Sequence, residues 1–284
     1  MVINTKKELK HFIKNARNEQ KTIGFVPTMG FLHQGHLSLI KKSKEENSLT
    51  VVSIFVNPTQ FGPGEDFETY PRDIDTDTRL AMEAGADVIF TPSAEEIYIP
   101  GSSTWVEVEG DVTSVLCGAS RPTHFRGVTT VVNMLFNIVE PDKAYFGQKD
   151  AQQAAVLTKM VQDLHMNVEI IVCPIVREAD GIALSSRNTY LSEEERDQAT
   201  ILNKSLQLGK RAYQKGEKNV KVLTELIINS INQMPLAEID YVNIHSYPLL
   251  QTISEVEERA IIAVAVKFGK TRLIDNVILE KEEK

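Results

Sequence analysis

The chain has 284 residues, with 31 lysines and arginines against 39 aspartates and glutamates, so its formal charge is −8. This length predicts one large or two modest domains, and 42% apolar with 25% charged residues is typical of a globular rather than a disordered protein. Because an acidic surface repels polyanions, we expect no nucleic-acid partner and no membrane partner.

Three further classes of protein are excluded by simple features of the chain. No apolar run approaches the roughly 18 residues of a membrane-spanning helix. The first residues, MVINTKKELK, carry charges where a signal peptide has its apolar core. The two cysteines, Cys117 and Cys173, provide neither a disulfide framework nor a metal cluster. We therefore expect a cytoplasmic protein whose thiols are small core residues.

The N-terminal part of the chain alternates between amphipathic and continuously apolar segments. Leu9, Phe12, Ile13 and Ala16 recur at helical spacing, whereas LTVVSIFV is typical of a strand buried on both faces. The predicted helices are Lys6–Glu19, a helix from about His36 to a lysine-rich end, and Asp73–Ala84; the predicted strands are Thr22–Val26, Leu49–Val56 and Asp87–Phe90. This alternation indicates a doubly wound α/β domain with a parallel sheet.

The remainder of the chain divides into a less regular middle and an α+β segment. The middle is predicted to contain strands at Thr104–Val108, Asp142–Phe146 and Val168–Cys173, with helices at Gly127–Ile138 and Ala151–Leu164. Ser192 is a good N-cap for a helix whose apolar spacing continues to Tyr213. A second helix follows at about Val220–Ile231, then strands at Ile239–Ile244, Ala260–Val266 and Asn276–Leu279. We expect an α/β domain at residues 1–176 and a smaller α+β domain at 177–284.

The first motif that carries chemistry is PTMGFLHQGH, Pro27–His36, between the first predicted strand and its helix. In open α/β sheets, ligands bind at the carboxyl ends of strands, where a helix N-terminus offers N–H groups to phosphate. His33 and His36 can donate there to phosphate oxygens, and Gly35 lets the backbone approach closely. The alternative is that both histidines are ordinary surface or core residues. Neither a Walker A motif nor GxGxxG is present.

Four more polar motifs follow predicted strands or turns. In NPTQFGPGED, Asn57 and Gln60 are neutral hydrogen-bonding groups suited to a small polar ligand, although a simple polar turn is the alternative. RPTHFRGVTTVV and YFGQKDAQQ supply cations and amides. Lys149 directly follows a predicted strand, at the same sheet edge as HQGH, which favours a role at that site. The alternative is that it is an ordinary solvated charge. VREADGIALSSRN places two serines and Arg187 after an Asp-Gly turn, where they bind phosphate or cap the next helix.

These motifs carry a resemblance to a known family. HQGH matches the HxGH motif of the adenylyl- and cytidylyl-transferase superfamily, whose domain is Rossmann-like. All five motifs together resemble the pantoate–β-alanine ligase (pantothenate synthetase) family, in the family's order and over essentially the whole chain. Ile182 stands where that family usually has leucine, and Leu184 where methionine is frequent; the second change affects only nucleotide packing.

The resemblance implies an enzyme that condenses (R)-pantoate with β-alanine to pantothenate at the expense of ATP. The reaction passes through an enzyme-bound pantoyl-adenylate and releases AMP and pyrophosphate. The catalytic residues implied are His33, His36, Lys149 and Arg187. The implied ATP-binding residues are Met29, Gly30, His33, His36, Gly147, Lys149, Asp150, Val176, Leu184, Ser185, Ser186 and Arg187. The implied pantoate-binding residues are Met29, Asn57, Gln60 and Gln153, and those implied for β-alanine or accessory contacts are Gln60, Arg121 and His124.

The same resemblance implies Mg²⁺ that bridges the triphosphate, a C-terminal lid domain and a homodimer formed through the N-terminal domain. The sequence shows no dedicated protein metal cage. Two other function classes stay open. A nucleotidyltransferase of the same superfamily would release an adenylylated product, but it would need neither the NPTQF and KDxQQ amides nor a second domain. A non-catalytic nucleotide-binding protein would have lost some of His33, His36, Lys149 and Arg187, and all four are present.

Overall fold

The computed structural model describes residues 1–281, so the last three residues of the predicted C-terminal domain lie outside the described part. The chain forms two compact units. Unit 1 consists of Met1–Glu109, Arg121–Gly147 and Val156–Pro174. Unit 2 consists of Gly110–Ser120, Gln148–Ala155 and the chain from Ile175 onwards.

Helices and strands alternate along most of the chain. The strands are β1 (Val2–Ile3), β2 (Ile23–Thr28), β3 (Leu49–Ile54), β4 (Val88–Phe90), β5 (Lys143–Gly147), β6 (Glu169–Cys173), β7 (Ala237–Ser246), β8 (Ala260–Phe268) and β9 (Thr271–Leu279). The helices are α1 (Lys6–Asn18), α2 (Gln34–Glu46), α3 (Ile74–Glu83), α4 (Ala94–Ile97), α5 (Asp111–Ser114), α6 (Cys117–Ser120), α7 (His124–Val139), α8 (Ala151–Asp163), α9 (Glu193–Ala199), α10 (Ile201–Gln214) and α11 (Val220–Ile231).

Unit 1 is built on a six-stranded parallel sheet with the order β1-β4-β3-β2-β5-β6. Phe25 of β2 pairs with Val51 of β3 on one side and Ala144 of β5 on the other. The strand order therefore reverses between β2 and β5, and such a reversal opens a crevice at the carboxyl ends of the two strands. The predicted doubly wound α/β fold is confirmed, and the loop after β2 that carries HQGH starts at this reversal.

Both faces of the sheet are covered, which explains the nearly continuous apolar sequence of its strands. Phe25 and Val51 belong to a core that includes residues of α1 and α7, whereas their neighbours Val26 and Val52 belong to a second core that includes residues of α2 and α3. Successive strand residues point to opposite faces, so one strand contributes to both cores.

The predicted strand at Thr104–Val108 is wrong, because within residues 1–281 this segment pairs with no strand. Its backbone is instead hydrogen-bonded by two hydroxyl groups of α7. Thr130 Oγ1 accepts the N–H of Val106 at 3.0 Å, and Thr129 Oγ1 donates to the Val106 carbonyl at 2.5 Å. Side chains distant in the sequence thus replace the sheet neighbour that the β-rich composition predicts.

Unit 2 contains the antiparallel sheet β7-β8-β9 and the helices α10 and α11. Leu206, Ile227 and Ile262 are completely buried in the core that these elements share. A Cβ atom on Gly209 of α10 would lie 2.8 Å from Ile227 Cδ1, so glycine allows the two helices to pack closely. This arrangement confirms the predicted α+β class. The single helix predicted after Ser192 is two helices, α9 and α10. No helix within residues 1–281 is long and apolar enough to cross a membrane.

Candidate active site

The loop between β2 and α2 carries the HQGH motif. α2 begins at Gln34, before the predicted start near His36, because His33 caps it. His33 Nδ1 accepts the N–H of Gly35 at 3.1 Å, and His36 Nδ1 accepts the N–H of His33 at 3.3 Å. A neutral imidazole whose Nδ1 accepts carries its proton on Nε2. The centroids of the two rings lie 4.1 Å apart at the start of α2, and with both Nδ1 atoms accepting, the neutral form of each ring has its N–H at Nε2.

Asp77 of α3 holds the backbone just before HQGH, although it is absent from the predicted site. Its carboxylate is 2% exposed and accepts the N–H groups of Phe31 at 2.8 Å and Leu32 at 2.6 Å. Burial raises the pKa of Asp77. Gly30 has a φ of +85°, and a Cβ atom there would lie 2.8 Å from Asp77 Oδ2, so the position requires glycine. The one sequence feature that could have identified Asp77 is its position: an acidic residue one turn before Ala81 on the buried face of α3.

Gln60, which follows β3, contacts two other predicted pantoate-binding residues, Asn57 and Met29. Asn57 is 1% exposed, and its Nδ2 donates to Gln60 Oε1 at 3.1 Å and to the Gly127 carbonyl at 3.2 Å. Tyr98 donates its hydroxyl proton to Asn57 Oδ1 at 2.7 Å. Gln60 Nε2 lies 3.1 Å from Met29 Sδ. Because Asn57 is buried and already bonded to the protein, its amide orients Gln60.

Arg121 and His124 both bind the backbone of Gln60. Arg121 Nη2 donates to the Gln60 carbonyl at 3.2 Å, and His124 Nδ1 lies 2.9 Å from the same oxygen. Glu65 accepts from Arg121 Nε at 2.6 Å and from Nη2 at 2.5 Å. Burial alone would raise the pKa of Glu65, but the hydrogen bonds and charge of Arg121 hold it below its ordinary value. The positive charge of Arg121 is therefore largely compensated within unit 1.

The predicted residues around Lys149 lie at the junction of β5 and α8. Lys149 and Asp150 belong to the 3₁₀ turn Gln148–Asp150, where Lys149 Nζ is 3.3 Å from Asp150 Oδ2. Gln153 is half-buried on the first turn of α8. At Gly147, the last residue of β5, an added Cβ atom would meet no heavy atom within 4 Å. Gly147 belongs to unit 1 and the other three residues to unit 2.

The segment from Val176 to Arg187 in unit 2 folds back on itself. The N–H of Leu184 donates to the Val176 carbonyl at 3.0 Å, which closes a loop around the Asp-Gly dipeptide. Ser185 Oγ accepts the N–H of Arg187 at 3.3 Å and caps the 3₁₀ turn Ser186–Tyr190. Of the two roles open for the serines, capping is thus realised by Ser185, on a 3₁₀ turn and not on the next α-helix. Ser186 is 7% exposed.

Each unit therefore brings together part of the predicted site. In unit 1, His33 contacts His36, and Gln60 contacts Met29, Asn57, Arg121 and His124. In unit 2, Lys149 contacts Asp150, Val176 contacts Leu184, and Ser185 contacts Arg187. Among the residues that the structure describes, no three His, Cys, Asp or Glu side chains are grouped so that they could hold a metal ion.

Comparisons with known proteins agree with this geometry. The family model for pantoate-beta-alanine ligase matches residues 1–278. A pantothenate synthetase from Acetivibrio thermocellus is 58% identical over 98% of this chain and 99% of its own, and one from Clostridioides difficile is 56% identical over 99% of both.

Solved structures show the same likeness. The crystal structure of pantothenate synthetase from Thermus thermophilus superposes with a TM-score of 0.92 at 43% identity, covering 97% of this chain and 98% of that one. A pantoate-beta-alanine ligase from Francisella tularensis, complexed with beta-gamma ATP and beta-alanine, has a TM-score of 0.78 at 36% identity over 98% of this chain and 97% of that one. Sequence, fold and whole-length coverage lead to one conclusion: the chain belongs to the pantoate–β-alanine ligase family and is an ATP-dependent ligase.

Proposed function

We propose that the family reaction, the ATP-dependent joining of pantoate to β-alanine, proceeds in this protein through a pantoyl-adenylate, with His33 and His36 as donors to the triphosphate. The observation that carries this proposal is the reciprocal capping of the two histidines. Because each Nδ1 accepts a backbone N–H, the neutral form of each ring keeps its proton on Nε2. Donors held in this way stabilise the charge that develops when a carboxylate attacks the α-phosphorus.

Gln60 binds pantoate in this proposal, together with Met29 and Gln153. The support for this role is that three residues hold Gln60 in place. Asn57 contacts its side chain, and Arg121 and His124 contact its carbonyl. Arg121 and His124 then act on β-alanine chiefly through Gln60. Because Glu65 already compensates Arg121, we propose an accessory role for this cation rather than direct neutralisation of a substrate carboxylate.

Lys149 and the segment from Ser185 to Arg187 contact the phosphates in the same proposal. Lysine supplies a point charge, and arginine a planar fork that matches phosphate oxygens. Gly147 and Asp150 contact the ribose, and Val176 and Leu184 pack against the nucleotide, with Gly30 allowing close approach at HQGH. Mg²⁺ arrives bound to ATP as part of that substrate, coordinated by phosphate oxygens and water.

Three further properties complete the proposal. Residues 177–284 act as a lid domain that excludes water from the acyl-adenylate, which would otherwise hydrolyse. The chain forms a homodimer through its N-terminal domain, which light scattering of the purified protein tests. The protein is cytoplasmic, and the support is that Cys117 and Cys173 are both free thiols.

Two assays test the reaction. Exchange of labelled pyrophosphate into ATP should require pantoate but not β-alanine, because the adenylate forms first. Release of AMP should require β-alanine as well. A stable adenylylated product released without β-alanine would contradict ligation and would support a nucleotidyltransferase instead.

A further inference from the structure

Two neighbouring side chains of β9 support the two segments of unit 2 that are proposed above to bind phosphate. Asn276 is 4% exposed, and its Nδ2 donates to the carbonyl of Gln148 at 2.9 Å and to that of Lys149 at 3.0 Å. Gln148 Nε2 lies 3.3 Å from Asn276 Oδ1 and fixes the amide in this orientation. Both ends of the Asn276 amide are therefore occupied by the turn that carries Lys149.

Asp275 holds the second segment indirectly, through the side chain of Arg177. It is 3% exposed, and it accepts from Arg177 Nη1 at 2.7 Å and Nη2 at 3.0 Å. Arg177 also donates to the carbonyl of Gly181 at 3.1 Å, which fixes the loop that leads to Ser185 and Arg187. Asp275 further accepts the N–H of Asn276 at 2.8 Å, so the two side chains form one network.

The turn at Lys149 needs such support because of its own geometry. A 3₁₀ turn of three residues has poorly aligned hydrogen bonds and little stability of its own. β9, by contrast, is paired along its length with β8, including Asn276 opposite Ala263. A buried amide on a strand is a more rigid anchor than a short turn, since strand positions are fixed by the whole ladder.

We propose that Asn276 is a positioning residue for Lys149, and that its neighbour Asp275, through Arg177, holds the loop that leads to Ser185 and Arg187. This inference rests on the proposed contact of Lys149 with the phosphates. Asn276 touches neither substrate nor reacting atoms; it sets the backbone from which the ammonium group extends.

The test is a double-mutant cycle measured by pantoate-dependent pyrophosphate exchange. Asn276→Asp replaces the donor NH₂ with an oxygen that faces two carbonyls, so the turn loses its anchor with little change in volume. We expect it to lower kcat at least 10-fold while the KM for ATP changes less than about threefold. In a Lys149→Ala background the same substitution should change kcat less than about twofold, because a residue that acts through Lys149 has no effect once Lys149 is gone.

Asn243→Asp is the matched control. Asn243 lies on β7 of the same sheet and contacts His245 rather than the 148–150 turn. This variant should keep kcat within about twofold of the parent. If Asn276→Asp does not fold, as judged by circular dichroism, Asn276→Ser takes its place in the cycle with the same expectations.

The kcat values of the single and double variants separate the role of Lys149 from that of Asn276. If Lys149→Ala has parental kcat, the proposed role of Lys149 fails. If Lys149→Ala is impaired but the folded Asn276 variant has parental kcat, or if the two losses multiply in the double variant, the positioning role of Asn276 is overturned while the proposed function stands.

Discussion

Replacing His36 with alanine tests the proposed mechanism directly, because this side chain has two separable tasks. Its Nδ1 accepts the backbone N–H of His33, and its Nε2–H is the proposed phosphate donor. Alanine removes both. Glutamate at the same position is the residue that a capping box favours, so it preserves the helix cap but carries no donor and adds a negative charge.

The structure allows the two losses to be weighed separately. A helix cap contributes about 1 kcal/mol, which lowers the unfolding midpoint of a unit of this size by about 2–4 °C. One donor aimed at developing charge contributes roughly 2.7–4 kcal/mol to the transition state, a factor of about 10²–10³ in rate. We therefore expect His36→Ala to lose at least about 10²-fold in pyrophosphate exchange but little stability.

The assay compares three variants by exchange rate and thermal unfolding. His36→Glu should be as inactive as His36→Ala yet keep the parental unfolding midpoint. His11→Ala, at an exposed histidine on α1, is the control and should leave both quantities unchanged. If His36→Ala exchanges pyrophosphate at a rate near that of the parent, the donor role is refuted. If its loss of rate is matched by global unfolding, the separation of cap and donor is refuted.

Three further substitutions test other parts of the structure. Gly127→Ala would place a Cβ atom 2.4 Å from the Thr59 carbonyl oxygen, so chemical denaturation should show a loss of about 1–3 kcal/mol; an unchanged midpoint would contradict this close packing. Hydrogen bonds from Lys42 and from other side chains lower the pKa of Glu46 from 4.5 to about 2. The ionised Glu46 therefore stabilises the fold fully above pH 4.5, and this stabilisation is lost as the pH falls toward 2. The stability difference between parent and Glu46→Gln should therefore shrink over that pH range, and a constant difference would refute the assignment. Asp77→Asn turns one of two acceptors into a donor that faces a backbone N–H, so we expect a loss of about 1–3 kcal/mol by denaturation together with slower pyrophosphate exchange; parental values of both would show that the loop before HQGH does not depend on this carboxylate.

Local patterns predict the regular elements well where one helix face or strand is buried. The prediction matches α11 at about its observed bounds, and α8 to within one residue, because apolar spacing decides both. The predicted β9 begins only at Asn276, although the strand starts at Thr271, since its first residues include polar side chains that the β8 pairing keeps in place. The two-residue β1 is not predicted, because two residues hold no periodicity.

The sequence by itself determined the fold class and the family, since these depend on periodicity and on motifs that are contiguous in the chain. Only the tertiary structure decided how those residues are held. Asp77 at the HQGH loop, Glu65 on Arg121 and Asn276 under Lys149 each act across 45 to 127 positions of the chain. A buried polar group must find a partner wherever the packed chain brings one within about 3 Å, and no local pattern records which residue that is.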